Sequence, residues 1–253
     1  MNRLQDKVAV ITGGNSGIGF ATAQEFIAEG AQVVITGRNA QAVQEAVAQL
    51  GPRAAGVASD AASMADLRRL AAQVRAHHPR IDALFVNAGV SFAAPITEVD
   101  EAHFDAQFNI NVKGAYFTIQ QLLPLFNDGG SIILNSSVSA HRGVPSNSVY
   151  AATKGAVSAL ARSLSMDLLD RRIRVNAVSP GLITTAILDK LYDQAGVPAD
   201  DRGAATESYA QLIPTKHFGT PRDVAQLVTF LASDESSYML GADVIVGGGL
   251  GTV

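Results

Sequence analysis

The amino-acid sequence predicts an α/β fold in which a doubly wound, seven-stranded parallel sheet carries helices on both faces. Short β-branched runs alternate with longer amphipathic or alanine-rich stretches along the chain. The runs Val8–Ile11 and Ile132–Leu134 are entirely apolar, as expected for parallel strands that are buried on both faces. No linker, repeat or low-complexity segment interrupts the alternation, so we expect a single domain over residues 1–253.

The strand predictions rest on runs of β-branched and other apolar residues bounded by turn residues. In chain order they are Val8–Thr12, Gln32–Thr36, Ala54–Ala58, Ala83–Asn87, Ser131–Asn135, Arg174–Val178 and Asp243–Val246. The helix predictions rest on apolar residues repeated at helical spacing. They are Gly17–Glu29, Ala40–Leu50, Met64–His77, Glu101–Asn127, Val149–Asp170 and Pro221–Ala232.

One stretch departs from this alternation. Residues 183–218 form a long connection that is polar in its middle and contains Gly196 and Pro198. An insertion late in such a sheet, on the side where ligands bind, is typical of a functional loop. We therefore expect residues 183–218 to form a substrate loop or lid.

Composition restricts the classes of function. The chain has 19 Lys and Arg residues against 23 Asp and Glu residues and no basic run, so nucleic acid is not an expected partner. The absence of cysteine excludes disulfides and thiolate chemistry and fits a reducing compartment. The N-terminus has no apolar signal core and no apolar run approaches the ~20 residues of a membrane helix. We expect a soluble, cytoplasmic protein with no membrane partner, and no metal, because no His, Asp and Glu cluster has metal-site spacing.

A glycine-rich turn follows the first strand and opens the first helix. The residues expected to face a ligand there are Gly13, Asn15, Ser16, Gly17, Ile18 and Gly19. Glycines let the backbone turn tightly and approach a pyrophosphate, and the helix N-terminus offers unpaired N–H groups and a favourable dipole. Inside a βαβ unit, this pattern predicts Rossmann-type dinucleotide binding.

The end of the second strand bears on the choice of cofactor. In this fold an acidic residue there usually binds the adenosine ribose hydroxyls, whereas a nearby Arg accommodates a 2′-phosphate. The segment carries Gly37, Arg38 and Asn39 and no carboxylate. Gly37 is expected to leave room, and the planar guanidinium of Arg38 suits a phosphate, although a solvated loop Arg is the alternative interpretation. We predict binding through Arg38 and Asn39 and a preference for NADP(H), with NAD(H) possible.

Tyr150 and Lys154 stand four residues apart on a predicted helix, so their side chains share one face. A phenol with a reference pKa of about 10 is a poor acid or base at neutral pH, but a nearby positive charge lowers that pKa. Ser137, thirteen residues before Tyr150, could hydrogen-bond a substrate oxygen beside the phenol. Tyr-x-x-x-Lys also arises by chance on surface helices, but together with Ser137 it predicts a proton-transfer site for a carbonyl or alcohol.

These motifs resemble those of the short-chain dehydrogenase/reductase family, in the family's order and over nearly the whole chain. They are Thr12-Gly13-(x3)-Gly17-Ile18-Gly19, Asp60, Asn87-Ala88-Gly89, Asn111, Ser137, Tyr150-(x3)-Lys154 and Pro180-Gly181. The resemblance implies an alcohol dehydrogenase or carbonyl reductase that transfers a hydride between NADP(H) and a ketone or secondary alcohol.

The resemblance also implies a role for each catalytic position. Tyr150 would be the general acid in reduction and the base in oxidation, and Ser137 would orient the substrate oxygen. Lys154 would hold the nicotinamide ribose hydroxyls and depress the pKa of Tyr150. Asn111 would fix a water that connects Lys154 to solvent.

Further positions would surround the cofactor. By resemblance they are Asp60 and Ala61 near the adenine, Asn87, Ala88 and Gly89 along the cofactor, and Pro180, Gly181, Ile183 and Thr185 at the carboxamide. Two positions depart from the family's pattern. Thr184 stands where an acidic residue is common, and the C-terminal glycines Gly247, Gly248 and Gly249 follow Val246 without the usual acidic residue.

The expected substrate wall is mostly small and apolar with a few polar groups, which suggests a moderately apolar ketone or secondary alcohol. Its predicted contacts are Ser137, Val138, Val144, Asn147, Tyr150 and Leu188. His141 and Arg142 lie in the same stretch, and could either touch the substrate or belong to a plain surface loop.

Two other functions, a cofactor-binding sensor and a thioester reductase, are alternatives, and a homotetramer is the expected assembly. A cofactor-binding sensor without turnover would often lose Tyr150 or Lys154, and both are present. A 3-oxoacyl-thioester reductase would need a basic surface for an acidic carrier protein, and the sequence shows no obvious one. Family members commonly form homotetramers through the helices that correspond to Glu101–Asn127 and Val149–Asp170, although these faces could instead only cover the sheet.

Overall fold

A computed structural model describes residues 2–185, 192, 193 and 196–253. Its seven strands are β1 (Val8–Thr12), β2 (Gln32–Gly37), β3 (Ala54–Ala58), β4 (Ile81–Val86), β5 (Phe126–Asn135), β6 (Arg174–Pro180) and β7 (Asp243–Val246). They form one sheet in the order β3-β2-β1-β4-β5-β6-β7, and every neighbouring pair is parallel. The predicted doubly wound, seven-stranded parallel sheet is confirmed.

The helices cover both faces of this sheet. Among the described residues they are α1 (Gly17–Ala28), α2 (Ala40–Leu50), α3 (Met64–His77), α4 (Glu101–Phe108), α5 (Ala115–Leu122), α6 (Ser148–Asp167), α7 (Arg202–Gln211) and α8 (Pro221–Ala232). One core packs α3, α5 and α6 against one face, and a second core packs α1, α2 and α8 against the other. The apolar strands are therefore enclosed on both sides, as their composition predicts.

The predicted helix Glu101–Asn127 is wrong as a single element. After α4 the chain makes a π-helical turn over Asn109–Gly114, resumes as α5, and ends in a 3-10 turn over Leu123–Leu125. Pro124 lies in that last turn, where it has no N–H to continue a helix. β5 then begins at Phe126, which pairs with Ile81, and a register shift before Ala83 absorbs the extra residues.

The carboxyl ends of the parallel strands lie at one edge of the sheet. The strand order reverses between β1 and β4, and such a switch point is where open α/β sheets form their ligand crevice. The glycine-rich turn follows β1, Asn87 lies just beyond β4, and Ser137 lies just beyond β5. The fold thus gathers the predicted site residues at this edge.

The two ends of the expected lid are joined to each other by backbone hydrogen bonds. Ile183 and Gly219 form an isolated parallel bridge. The Thr184 N–H donates to the Gly219 carbonyl at 2.9 Å, and the Gly219 N–H donates to the Leu182 carbonyl at 3.0 Å. Between these ends the structure shows α7, while Leu188 lies outside the described residues. In the part of the chain that the structure describes, no helix is both long and apolar enough to cross a membrane.

Candidate active site

A cleft of about 870 Å³ opens at the carboxyl edge of the sheet. It is bounded by the glycine-rich turn, the ends of β2, β4, β5 and β6, the start of α6, and the lid. The predicted site residues that line it are Gly13, Asn15, Ser16, Gly17, Ile18, Arg38, Asn39, Asp60, Ala61, Asn87, Ala88, Gly89, Ser137, Val138, Val144, Asn147, Tyr150, Lys154, Pro180, Gly181, Ile183 and Thr185. Gly19 and Asn111 lie behind this lining.

The glycine-rich turn is held by hydrogen bonds from beyond β4. The Asn87 side-chain amide donates to the carbonyls of Thr12 at 3.0 Å and Gly13 at 3.2 Å. The Thr12 hydroxyl accepts from the backbone N–H groups of Asn87 and Ala88 at 2.9 and 3.0 Å. A Cβ on Gly19 would lie 2.3 Å from the Gly13 carbonyl, so glycine is required there for the turn to close onto α1. Asn87 and Gly19 therefore shape the phosphate loop.

The end of β2 presents an exposed arginine beside a crowded glycine. Arg38 is exposed at the cleft. A Cβ on Gly37 would lie 2.5 Å from the Asn15 side-chain oxygen and 2.9 Å from a methyl group of Val43. A side chain at position 37 would therefore have to displace Asn15 and Val43. Asn39 caps α2 by accepting from the Ala42 N–H at 3.0 Å.

Lys154 is buried on the first turns of α6 with its ammonium turned into the cleft. Its Nζ donates to the Asn135 carbonyl at 2.6 Å and lies 5.6 Å from the centroid of the Tyr150 ring. Burial lowers the pKa of Lys154 from 10.5 to about 8, because a desolvated ammonium is disfavoured. The hydrogen bond to the Asn135 carbonyl keeps the amine of Lys154 in position whether it is charged or neutral.

Tyr150 lies one helical turn earlier, with its phenol beside Ser137. Burial raises the pKa of Tyr150, and a side-chain hydrogen bond with Ser137 lowers it by less. Burial therefore dominates and holds the phenol protonated at neutral pH, so the net shift of the Tyr150 pKa is opposite to the lowering expected from Lys154. A phenol kept neutral is poised to donate a proton.

Ser137 begins the loop that forms one wall of the cleft. Its Oγ accepts from the Ser139 N–H at 3.1 Å, which caps a 3-10 turn over Val138–Ala140. Asn147 donates to the Ser139 hydroxyl at 3.3 Å, across the same wall. The hydroxyl of Ser137 is therefore fixed by its own loop, with its proton available to the cleft.

Asn111 lies in the π-helical turn and acts as a clamp. Its side-chain amide donates to the Val90 carbonyl at 2.8 Å and to the Thr153 hydroxyl at 3.0 Å, and its oxygen accepts from the Val90 N–H at 2.8 Å. Thr153 in turn donates to the Tyr150 carbonyl at 2.7 Å. Because these bonds occupy the Asn111 amide, its side chain joins the loop after β4 to the Tyr150 helix.

The structure separates the two ambiguous residues of the wall. Arg142 lines the cleft. His141 instead points to the sheet edge, where its Nε2 lies 3.0 Å from the Asp243 carboxylate and 3.1 Å from the Ser179 hydroxyl. The Ser179 hydroxyl donates to Asp243 at 2.6 Å. His141 thus ties the Ser137 loop to β6 and β7.

Sequence reasoning missed one wall of the cleft. Leu250 comes from the segment after β7 and lines the cleft near Val138. The lone available signal was an apolar residue directly after three glycines. That signal does not show where the segment folds, so only the structure identifies Leu250.

Comparison with known proteins identifies the family of this chain. A family model described as "Enoyl-(Acyl carrier protein) reductase" matches residues 13–251. Oxidoreductase asL5 of Sarocladium schorii is 41% identical over 100% of this chain and 99% of that protein. The chain belongs to the short-chain dehydrogenase/reductase family. The chain is an oxidoreductase of this family.

Two further members of the family are close in sequence or structure. The 3-oxoacyl-[acyl-carrier-protein] reductase FabG of Thermotoga maritima is 36% identical over 98% of this chain and 99% of that protein. The crystal structure of L-sorbose reductase from Gluconobacter frateurii, complexed with NADPH and L-sorbose, superposes with a TM-score of 0.94. It is 30% identical and covers 100% of both chains.

The buried ammonium predicts a distinctive dependence of stability on pH. Because the pKa of folded Lys154 is lowered to about 8, the unfolded chain binds more protons between about pH 8 and 10.5, so stability rises with pH in that window. Relative to Lys154→Met, the wild-type free energy of unfolding should rise by about 2 kcal/mol between about pH 7.5 and about pH 10. Urea unfolding of both proteins at each pH measures this difference.

The exposed Lys113 supplies the control for this experiment. Lys113→Met should follow the wild-type pH dependence. If the free energies of unfolding of wild type and Lys154→Met differ by the same amount at the two pH values, the pKa of Lys154 is not lowered in the folded protein.

Proposed function

We propose that this short-chain dehydrogenase/reductase transfers a hydride between NADP(H) and a ketone or secondary alcohol, with Tyr150 as the general acid or base. The observation that carries the proposal is the convergence of Tyr150, Ser137 and Lys154 on one cleft that also contains the glycine-rich turn. General acid–base groups act where a fixed side chain reaches the reacting oxygen. Here a neutral phenol and a serine hydroxyl meet beside a buried amine.

The residues present fit a phosphorylated dinucleotide. The N-terminus of α1 and the backbone of the glycine-rich turn suit a pyrophosphate. Arg38, exposed at the end of β2, suits a 2′-phosphate. The Asn135 side-chain oxygen is buried at the cleft and has no hydrogen-bond partner among the described residues, which leaves an acceptor for a ligand donor. L-sorbose reductase, which resembles this chain over its full length, was crystallised with NADPH.

In the proposed reduction, the cofactor supplies the hydride that the carbonyl carbon receives. Ser137 hydrogen-bonds the carbonyl oxygen and sets its distance from the phenol. Tyr150 donates its proton to that oxygen, so the product is the alcohol and the protein holds a phenolate. Lys154, at 5.6 Å from the ring centroid, stabilises that phenolate by its positive charge. Oxidation of an alcohol runs these steps in reverse.

The lid of residues 183–218 is proposed to close over the substrate. Its base is held by the bridge between Ile183 and Gly219. Its described residues Tyr192, Tyr209 and Leu212 line the cleft, and the Tyr192 hydroxyl is 2.7 Å from the Thr206 hydroxyl within the lid. Such an aromatic face favours a moderately apolar carbonyl compound.

The alternative is reduction of a 3-oxoacyl thioester, which uses the same chemistry on a different ketone. Its support is the similarity to FabG of Thermotoga maritima. A sensor that binds NADP(H) without turnover is the other alternative, and the presence of the complete proton-transfer set argues against it. Turnover of an acyl thioester but of no simple ketone would favour the first alternative.

We also propose a homotetramer, assembled through the faces of α4, α5 and α6. An apolar groove between them is lined by Phe108, Val112, Tyr116, Phe117 and Leu160 among others, and Tyr116 is 40% exposed. Exposed apolar grooves of this kind favour association. A mass of one chain, 26.3 kDa, in light scattering would contradict the proposal.

Removal of one hydroxyl tests the proposed mechanism. Tyr150→Phe should lower kcat for ketone reduction by roughly 10²–10⁴-fold, because the general acid is lost while the ring still fills its place. Loss of NADPH absorbance over a panel of ketones, aldehydes and sugars measures the rate. NADPH binding, followed by cofactor fluorescence, should change little and shows that the variant is folded. Turnover that survives in the Phe variant would contradict the role of Tyr150.

The cofactor preference is tested at Arg38. Arg38→Leu should weaken NADPH binding by about 10–100-fold, since a charge-assisted hydrogen bond contributes about 1.5–3 kcal/mol, and should leave NADH binding nearly unchanged. Titration of each cofactor against each protein gives the dissociation constants. Placing Asp at position 37 is a poor test, because Asn15 and Val43 would have to move.

Arg75 on α3 is exposed and outside the cleft lining, so Arg75→Leu is the matched control. It removes the same charge and should change neither cofactor's affinity. Equal loss of NADPH and NADH affinity in Arg38→Leu would overturn the assignment of Arg38 to the 2′-phosphate.

A further inference from the structure

The chain beyond β7 folds back on itself instead of leaving the molecule. The Leu250 N–H donates to the Gly247 carbonyl at 3.0 Å, and the Val253 N–H donates to the Gly249 carbonyl at 3.2 Å. Gly248 has a φ of 60°, in the left-handed region that favours glycine. We call residues Gly247–Val253 the tail.

The tail is fastened to the returning end of the lid. The Thr215 N–H donates to the Gly248 carbonyl at 3.1 Å. A Cβ on Gly248 would lie 2.5 Å from the Thr215 hydroxyl, and a Cβ on Gly249 would lie 2.7 Å from Pro214. The lid end and the tail are therefore in direct backbone contact, and side chains at these glycines would push them apart.

Gly247 brings the tail equally close to the loop that begins at Ser137. A Cβ there would lie 3.0 Å from a methyl group of Val138 and 3.0 Å from the Leu250 carbonyl. A side chain at position 247 would displace either Val138, the neighbour of Ser137, or the turn that carries Leu250.

Leu250 contacts both the Ser137 loop and the lid. It is 6% exposed and forms a small apolar cluster with Val138 and Ile213, separate from the two large cores of the sheet. Val138 directly follows the serine that faces the phenol, and Ile213 lies in the lid. Leu250 also lines the cleft itself. The Leu250 side chain thus contacts the Ser137 loop and the lid, and it also faces the open cleft.

We propose that the tail is a wall of the substrate site and that Leu250 sets the largest group the site admits beside the reacting carbonyl. The proposal rests on the carbonyl reductase function and adds a specificity-determining residue to it. A hydrophobic wall discriminates by volume, because each methylene that fits or clashes changes the transition-state energy. Shortening Leu250 should open space on the Val138 side of the cleft.

The test uses aryl ketones whose alkyl arm grows from methyl to propyl. In Leu250→Ala, kcat/KM for the propyl ketone relative to the methyl ketone should rise by about 10-fold over wild type, within the 10–200-fold range of a methylene-scale change in a pocket. Leu250→Val, which removes less volume, should shift the same ratio in the same direction by less. The Val variant also carries the test if the Ala variant fails to fold.

Leu240 provides the matched control. It is 50% exposed and outside the cleft lining, so Leu240→Ala removes the same atoms and should leave the ratio of the two ketones unchanged. NADPH binding within about twofold of wild type in every variant separates a change in the substrate wall from a general loss of structure.

Two results would overturn the proposal, and they have different meanings. An unchanged size preference in an active Leu250→Ala would show that Leu250 only fills the small cluster, and would leave the reductase function standing. Wild-type protein that binds NADPH but reduces no ketone would remove the proposed function together with this extension of it.

Discussion

A buried ammonium is the constraint on which the rest of the site depends. Lys154 is 5% exposed, and burial disfavours its charged form enough to lower its pKa to about 8. Such a group persists in a folded protein only where a hydrogen bond offsets part of the desolvation cost. The Asn135 carbonyl supplies that bond at 2.6 Å. The end of β5 and the start of α6 are consequently held together at the point where the chemistry is proposed to occur.

That junction extends to the neighbouring strands. The Asn135 side chain donates to the Asn87 oxygen at 2.9 Å, and Asn87 in turn holds the carbonyls of Thr12 and Gly13. A continuous set of hydrogen bonds thus runs from α6 through the ends of β5, β4 and β1 to the glycine-rich turn. These bonds set the spacing between Lys154 on α6 and the glycine-rich turn, and fixed spacing of this kind is what a preorganised catalytic site requires.

The sequence predicted those parts of the molecule that follow from local pattern. Strands β1, β3 and β7 and helices α2, α3 and α8 have the predicted bounds, because their apolar periodicity and turn residues agree with their surroundings. The residues of the cleft were predicted from motif order, since the ends of parallel strands necessarily meet. Their proposed roles remain predictions.

The remainder depended on contacts between distant segments. The π-helical turn at Asn109–Gly114 interrupts a sequence that has good helical spacing, and a Cβ on Gly114 would lie 2.4 Å from the Ala61 carbonyl. The space beside Gly37 is filled by Asn15 from another loop. His141 pairs with Asp243 across about a hundred residues of sequence, and Leu250 reaches the cleft only because the tail turns back. No local pattern encodes these encounters.

Transfer of an isotope from cofactor to substrate tests the central claim most directly. NADPH deuterated at the transferable position of the nicotinamide would be incubated with the protein and the best ketone of the panel, and the alcohol analysed by mass spectrometry. The proposed function predicts one deuterium per product molecule, bonded to the carbinol carbon and delivered from a single face of the ring. Alcohol formed without deuterium from either labelled face, or cofactor bound without any alcohol formed, would contradict direct hydride transfer in this cleft.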